Sequence, residues 1–465
     1  MAEPYRVTVI EESQVAPPPN SVPTTSLPLT FFDIPWLPWG PMQRLFFYQL
    51  PQPTNYFTQA ILPTLKDSLS HTLQRFFPFA ANLVYPPQTD KPHILYTEGN
   101  SVPFTVAEAA GDFNHLIANY PRDVRELHHF VAHLPPTHVS SDDTRLIPLM
   151  ATQVTVFPNE GICIGITFRH AAADGRAFHH FMKSWASICR KGGDLTCLGS
   201  SPPFHDRAVI KDPNGLAHSF LKEMGNWASA LEEDSDLINN IAEKVRATVV
   251  LCRAHIEGLK KWVKGQCTNK EDLEPLHLST FVVTCALTWV CLIKSQHKGV
   301  SNFSDDNSKL CYFIFSADCR NRLKFPVPCA YFGNCIAPCF VGLEKREVVG
   351  ETGIFEAVKA IGNKVGQLET EALRGAETWA SGGKEMSEMG STIVSVAGSP
   401  RLGVYDTDFG WGRPKKSEVV HIDVTGAFSL AECRDEDGGI EVGLALNRKN
   451  IGDFNAIWEQ SLKLF

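Results

Sequence analysis

Residues 162 to 190 join a strand, a histidine, a tight turn and a helix with almost no chain to spare. Ile162-Cys-Ile-Gly-Ile-Thr-Phe168 alternates branched and small residues as a buried strand does, and Phe178, Phe181, Trp185 and Ile188 then recur at helical spacing. Between them stands His170-Ala-Ala-Ala-Asp174-Gly175-Arg176. Asp174 takes the place of a helix N-cap and Gly175 supplies the turn, so His170 is expected at a strand end with its loop geometry dictated locally. The strand expected at 147–157 precedes it through a Pro-Asn-Glu-Gly turn, which predicts a hairpin that delivers His170. A histidine held this way, with an ordinary pKa near neutrality, suits removal of a proton from a weak nucleophile, a role worth about 10²–10⁴ in rate.

The His-x-x-x-Asp spacing alone is weak, because about one accidental copy is expected in a chain with 16 histidines. A second copy, His138-Val-Ser-Ser-Asp142, lies in a Pro-, Ser- and Asp-rich segment. That segment reads as loop, with no strand behind the histidine and no helix after it, and is set aside.

Elsewhere the first half offers a strand at 5–15, a Pro-rich passage to Pro28, an aromatic block ending at Leu37, and a strand at 42–50. A helix is expected from 53 to 77, where Phe57, Ile61, Leu65, Leu69, Leu73 and Phe76 face one side. The composition turns to Gly, Pro, Ser and Asp after Arg190. This places a domain carrying His170 at 1–195, a crossover linker at 196–225 and a second domain at 226–465. The second half offers strands at 245–251, 310–317, 391–397, 419–424 and 440–446, and helices at 253–264, from 279, and at 353–372. Strands and helices intersperse without strict alternation, which predicts an α/β fold with mixed sheets rather than a doubly wound parallel sheet.

Composition excludes several function classes. A net charge of −8 argues against general nucleic-acid binding. The longest apolar run, Leu278 to Ile293, is broken by Ser279, Thr280, Thr284 and Thr288 and is too short for a membrane span. The 13 cysteines show no Cys-x-x-Cys pair, so neither a zinc site nor a disulfide framework is expected, and a reducing compartment is. With no basic and apolar leader at the N-terminus, the cytosol is the expected location.

Near the C-terminus Asp408-Phe409-Gly410-Trp411-Gly412 is far more specific than the histidine motif. Physically it is a turn packed by two aromatic rings, with glycines where side chains would clash. Its Asp-Phe-Gly is not accompanied by the other protein-kinase motifs, and Gly-x-Ser-x-Gly, Walker and His-Glu-x-x-His patterns are absent.

Taken together, His170-Ala-Ala-Ala-Asp174-Gly175 and Asp408-Phe-Gly-Trp-Gly412 resemble, in order and spacing, the plant BAHD acyl-CoA-dependent acyltransferases across essentially the whole chain. Leu27 to Leu37, Ala317-Asp-Cys-Arg320 and Tyr331-Phe-Gly-Asn-Cys335 are similar to the branch that acylates anthocyanins, flavonoids and other phenolic glycosides. The resemblance implies two chloramphenicol-acetyltransferase-like domains with a channel at their interface, and His170 as general base. It also implies an Asp174 that orients the loop, with Arg320 as its ion-pair partner. No bound cofactor or metal is implied; an acyl-CoA is the co-substrate, and the enzyme is expected to be a monomer. Trp411 is a candidate oxyanion donor. Arg176, a cation in a first helical turn where the dipole gives it nothing, is a candidate clamp for the carboxylate of malonyl-CoA. Lys260, Lys261, Ser279 and Thr280 are candidates for the phosphates of coenzyme A. The expected reaction is malonyl transfer to a sugar hydroxyl of a phenolic glucoside, with hydroxycinnamoyl transfer as the alternative. A non-catalytic binding relative would be marked by an altered base, and His170 is intact.

Overall fold

The computed structural model describes residues 6–87, 91–194, 202–225, 227–228, 241–267, 276–297, 309–382, 386 and 390–465. Two large mixed sheets organise it. The first has six strands in the order Arg6–Val15, Val102–Ala110, Met150–Phe157, Gly161–Phe168, Met42–Gln49 and Lys416–Val419. Its pairings are antiparallel except for Val102–Ala110 beside Met150–Phe157. The second has seven strands, in the order Ile336–Glu344, Leu310–Asp318, Thr392–Gly398, Phe428–Glu432, Ile440–Asn447, Lys244–Leu251 and Arg122–Asp123. A five-stranded antiparallel sheet flanks the first half.

The sheets exchange strands. Lys416–Val419, from the last tenth of the chain, closes the edge of the first sheet against Met42–Gln49. Arg122–Asp123, from the first half, pairs with Lys244–Leu251 at the edge of the second. A buried charge network stitches the exchanged strands together. Glu418 accepts from Arg122 and Arg246, each at 2.8 Å, and Arg246 also donates to Asp423 at 2.6 Å. All four side chains are at most 2% exposed. Breaking such a buried pair by removing one partner costs about 3–5 kcal/mol, so the junction is fixed rather than hinged.

The expected hairpin forms: Met150–Phe157 pairs with Gly161–Phe168 over its whole length, Met150 opposite Phe168. Both strands are buried at every position, so each is packed on two faces. The helix Gly175–Arg190 lays Phe178, Phe181, Trp185 and Ile188 on the first core, and Trp185 donates its indole N–H to the Leu65 carbonyl at 3.1 Å. The helical run from 54 to 75 carries a π turn at Phe57–Ile61 just before Pro63. The extra residue shifts the phase of the stripe, so Leu62 is buried and Ile61 only partly so. In the second half, Thr280–His297 is the expected core helix, and among the described residues no helix is long and apolar enough to cross a membrane.

Three readings of local structure change. Residues 419–424 alternate like a strand, yet the strand ends at Val419 and Ile422–Thr425 is a helical turn closed by Gly426 at φ 70°. Asp423, inside that stretch, is the buried partner of Arg246. The helix expected to reach 372 stops at Gln367. His138–Val139 is a short exposed strand on Arg145–Leu146 rather than loop, with Asp142 in the turn that follows it.

Candidate active site

His170 leaves the strand Gly161–Phe168 in a single 3₁₀ turn, and its side chain is built into a chain of buried polar groups. Asp33 starts that chain. Its Oδ2 accepts from the Thr30 backbone and hydroxyl at 2.9 and 2.7 Å, and its Oδ1 accepts from the Asn334 backbone and side-chain amide, both at 3.0 Å. Asn334 Nδ2 also donates to the His170 carbonyl at 2.8 Å, while its Oδ1 lies 3.0 Å from His170 Nδ1. A carboxylate is acceptor-only, so the nitrogen of the Asn334 amide must face Asp33 and the oxygen must face the imidazole. Nδ1 therefore carries the proton. Nε2, which has no hydrogen-bond partner among the described residues, is left with its lone pair.

The imidazole is also held by its face. Trp36 stacks on it with ring centroids 3.8 Å apart and planes 11° from parallel. Burial pushes the pKa of His170 down to about 4, against the opposing pull of Asp174 and the Asn334 hydrogen bond. The ring is neutral at physiological pH, in the tautomer a base requires.

Asp174 points away from this chain. Its Oδ1 caps the helix by accepting from the Ala177 N–H at 2.9 Å, and its Oδ2 accepts from Arg320 at 2.8 Å and from the Cys335 N–H at 3.1 Å. Arg320, wholly buried, also reaches Asp318 and the carbonyls of Tyr331 and Gly333. Burial alone would lower its pKa, but Asp174 and Asp318 hold it above the ordinary arginine value. The loop 331–335 is thus clamped from one side by Arg320 and from the other by Arg207, which donates to the Tyr331 hydroxyl at 2.8 Å. Gly333 sits at φ 149°, and a Cβ there would fall 1.7 Å from Arg207 Nη1. Only glycine lets the guanidinium pass.

The remaining expected residues fall in three places. Arg176 is half-exposed and donates to Asp318 at 2.9 Å. Lys260 and Thr280 come together, 3.3 Å apart, but Lys260 is also paired with Glu257 at 2.9 Å. Ser279 caps the helix that Thr280 opens, accepting from the Val282 N–H at 3.3 Å, and Lys261 is exposed. The segment Asp408–Gly412 is a turn: Asp408 accepts from the N–H groups of Gly410 and Gly412 at 2.8 and 2.9 Å, with Gly410 at φ 106°. Phe409 packs edge-on to Trp185 at 5.0 Å, and Trp411 stacks on Phe409 and meets Tyr48 at 5.8 Å.

That last contact corrects the oxyanion reading of Trp411. Tyr48 is paired with Ile162, six residues before Phe168 on the strand that ends at His170. Six residues of strand span about 20 Å. The indole lies at the far end of the strand from His170 and packs the turn against the first sheet. Reasoning from the sequence missed Asp33, Asn334 and Trp36 as site residues. The available signal was an aspartate inside the aromatic block Phe31-Phe-Asp-Ile-Pro-Trp36, and an asparagine closed in by Gly333 and Cys335.

Solved structures share this arrangement of two large mixed sheets with flanking helices. Vinorine synthase superposes with a TM-score of 0.65 at 18% identity, covering 96% of both chains. TRI101 of F. sporotrichioides, solved with coenzyme A and T-2, gives 0.62 at 14% identity, covering 94% of this chain and 98% of the other. The family model described as the Transferase family matches residues 5–461, and the chain belongs to that family, the BAHD acyl-CoA-dependent acyltransferases. Similar over full length are a coumaroyl-CoA:anthocyanidin 3-O-glucoside-6''-O-coumaroyltransferase of Arabidopsis thaliana, at 41% identity with 98% of each chain covered, and a malonyl-coenzyme A:anthocyanin 3-O-glucoside-6''-O-malonyltransferase of Dahlia pinnata, at 38% with 98% of each covered. A phenolic glucoside malonyltransferase of Nicotiana tabacum is 38% identical over 91% of each chain. The protein is an acyl-CoA-dependent acyltransferase of the anthocyanin and phenolic glycoside branch.

Proposed function

We propose that the protein transfers a malonyl group from malonyl-CoA to a sugar hydroxyl of a flavonoid or other phenolic glucoside, with His170 as general base. The observation that carries the base assignment is the tautomer: Asp33 orients Asn334, Asn334 fixes Nδ1–H, and Nε2 remains to accept a proton. In the ternary complex Nε2 takes the hydroxyl proton as the oxygen attacks the thioester carbonyl. The tetrahedral intermediate then collapses, the carbon–sulfur bond breaks, and the imidazolium returns its proton to the departing thiolate. No covalent acyl-enzyme is needed. Coenzyme A is released by the same step that regenerates the base.

The choice of malonyl is supported by the charge of Arg44, which acts on His170, and by Arg176 six residues beyond it in the chain, in a family whose members at 37–38% identity include malonyltransferases. A second reading, hydroxycinnamoyl transfer, is favoured by a different observation. Trp36 against His170 continues into Trp39, which is 51% exposed, and an aromatic acyl group would extend that stack. The relatives at 41% and 40% identity are coumaroyltransferases. The test offers the purified protein equal malonyl-CoA and coumaroyl-CoA with a panel of anthocyanin, flavonol and simple phenolic glucosides, and weighs the products. Mainly malonylated glucoside is expected; mainly coumaroylated product overturns the donor assignment and leaves the base assignment standing.

A further inference from the structure

When His170 takes a proton its ring must carry a positive charge, and its surroundings are poor in free anions. Nδ1–H is met by the amide oxygen of Asn334, not by a carboxylate. Asp33 stands one residue further along that chain of hydrogen bonds. Asp174 favours the charged ring, but its carboxylate is paired with Arg320 at 2.8 Å, and the charge of Arg44 works against it. Burial outweighs these and makes the protonated imidazole costly, which is why the pKa falls to about 4. A base in this setting gains from any group that eases the charge it takes up.

Such a group lies on the face of the ring. Trp36 is parallel to His170 within 11°, with centroids 3.8 Å apart. Two neutral aromatic rings prefer an offset or edge-on meeting with centroids about 4.5–7 Å apart. The other histidine–aromatic pairs among the described residues follow that preference, tilted or edge-on at 52–86° and 4.8–6.5 Å. Among these pairs only His170 lies flat and close on its partner. That is the geometry in which an indole, the strongest of the aromatic faces, attracts a cation within about 6 Å of its centroid. The local sequence builds the contact: Ile34–Trp36 is a single 3₁₀ turn with Pro35 inside it, and the Trp36 N–H closes it on the Asp33 carbonyl at 3.2 Å. One turn therefore supplies both the carboxylate that orients Asn334 and the indole that covers the imidazole.

We propose that Trp36 is a positioning residue that stabilises the imidazolium of His170 through its π face. When Nε2 accepts the hydroxyl proton, the ring becomes a cation lying on the indole, and the attraction ends when that proton passes to the coenzyme A thiolate. The contact is stronger in the transition state than in the resting enzyme, which is what a contribution to rate requires. The inference rests on His170 as the base.

The test replaces Trp36 site-specifically by mono-, di- and trifluorotryptophan, which draw electron density from the face of the ring while nearly keeping its shape, and follows single-turnover acyl transfer at saturating substrates. The rate is expected to fall stepwise with each fluorine, by about tenfold across the series, within the range for a partly desolvated cation–π contact. KM for both substrates and the melting temperature are expected to hold, and in a His170→Ala background the residual rate is expected to ignore the fluorines. A folded series whose rate does not change, or in which only KM changes, overturns this inference and leaves the base assignment standing. A His170→Ala enzyme that transfers the acyl group at the wild-type rate removes the base reading and this inference with it.

Discussion

Replacing Asn334 by leucine keeps the volume of the side chain and deletes three hydrogen bonds: to Asp33 Oδ1, to the His170 carbonyl and to His170 Nδ1. Asp33 Oδ1 keeps the Asn334 backbone N–H, so that carboxylate is only partly stripped. The His170 carbonyl and Nδ1–H lose a partner in a buried setting, at about 1–3 kcal/mol for each group left unsatisfied. The variant is expected to fold with a lower melting temperature. Its catalytic loss is a separate matter: with nothing to hold Nδ1–H, the ring samples the tautomer in which Nε2 carries the proton, and a base so disabled loses up to about 10²–10⁴ in kcat. KM for both substrates is expected to hold, because Asn334 touches neither in this mechanism. The pH profile adds a directional readout. The Asn334 bond favours the protonated imidazole and so holds the His170 pKa up against burial; without it the acid limb of kcat/KM moves further below about 4. Steady-state kinetics from pH 3.5 to 8 decide the matter, within the acid stability of the protein. A folded Asn334→Leu enzyme with wild-type kcat, or with its acid limb moved upward, refutes the tautomer argument.

Asp174→Asn removes a charge from a pair buried on both sides and sets an amide against the Arg320 guanidinium and the Cys335 N–H. A loss of about 3–5 kcal/mol is expected, read by denaturant unfolding, with a smaller fall in kcat than removal of His170 brings. Trp411→Phe is expected to lose stability and keep kcat within about threefold; a loss of 100-fold would return the indole to the chemistry. Burial sets the pKa of His421 at about 3, below its ordinary 6.5, so the native state binds fewer protons than the unfolded chain between those values. The stability tied to that group is present above pH 6.5 and declines as pH falls toward 3, by about 2 kcal/mol at pH 5. His421→Gln is therefore expected to narrow the gap between melting temperatures at pH 7 and pH 5, and an unchanged gap would show that His421 is not buried in its neutral form.

Much of this fold could be read from periodicity. The helix Gly175–Arg190, the core helix Thr280–His297 and the hairpin before His170 have one buried face or a fully apolar run, and local pattern suffices for those. The exchange of strands between the sheets could not be read, because Lys416–Val419 and Arg122–Asp123 are short, charged and fixed by partners 122 to 375 residues away. Residues 419–424 misled for the same reason: only the position of Arg246 makes Asp423 a core residue. At the site, the local geometry of His170, Asp174 and Gly175 was legible because it lies in one continuous stretch. Asp33, Trp36 and Asn334 were not, since their roles exist only once segments 137 and 164 residues from His170 are brought against it. The malonyl clamp assigned to Arg176 presumed a free cation, and a single long-range contact with Asp318 changes that premise.

The central claim is that His170 is the proton acceptor for the sugar hydroxyl, and single-turnover kinetics of His170→Ala with saturating acyl-CoA and glucoside test it most directly. The account predicts a fall in the acyl-transfer rate of about 10²–10⁴, with binding of both substrates retained and the melting temperature close to wild type. A His170→Ala enzyme that transfers the acyl group at the wild-type rate would contradict it.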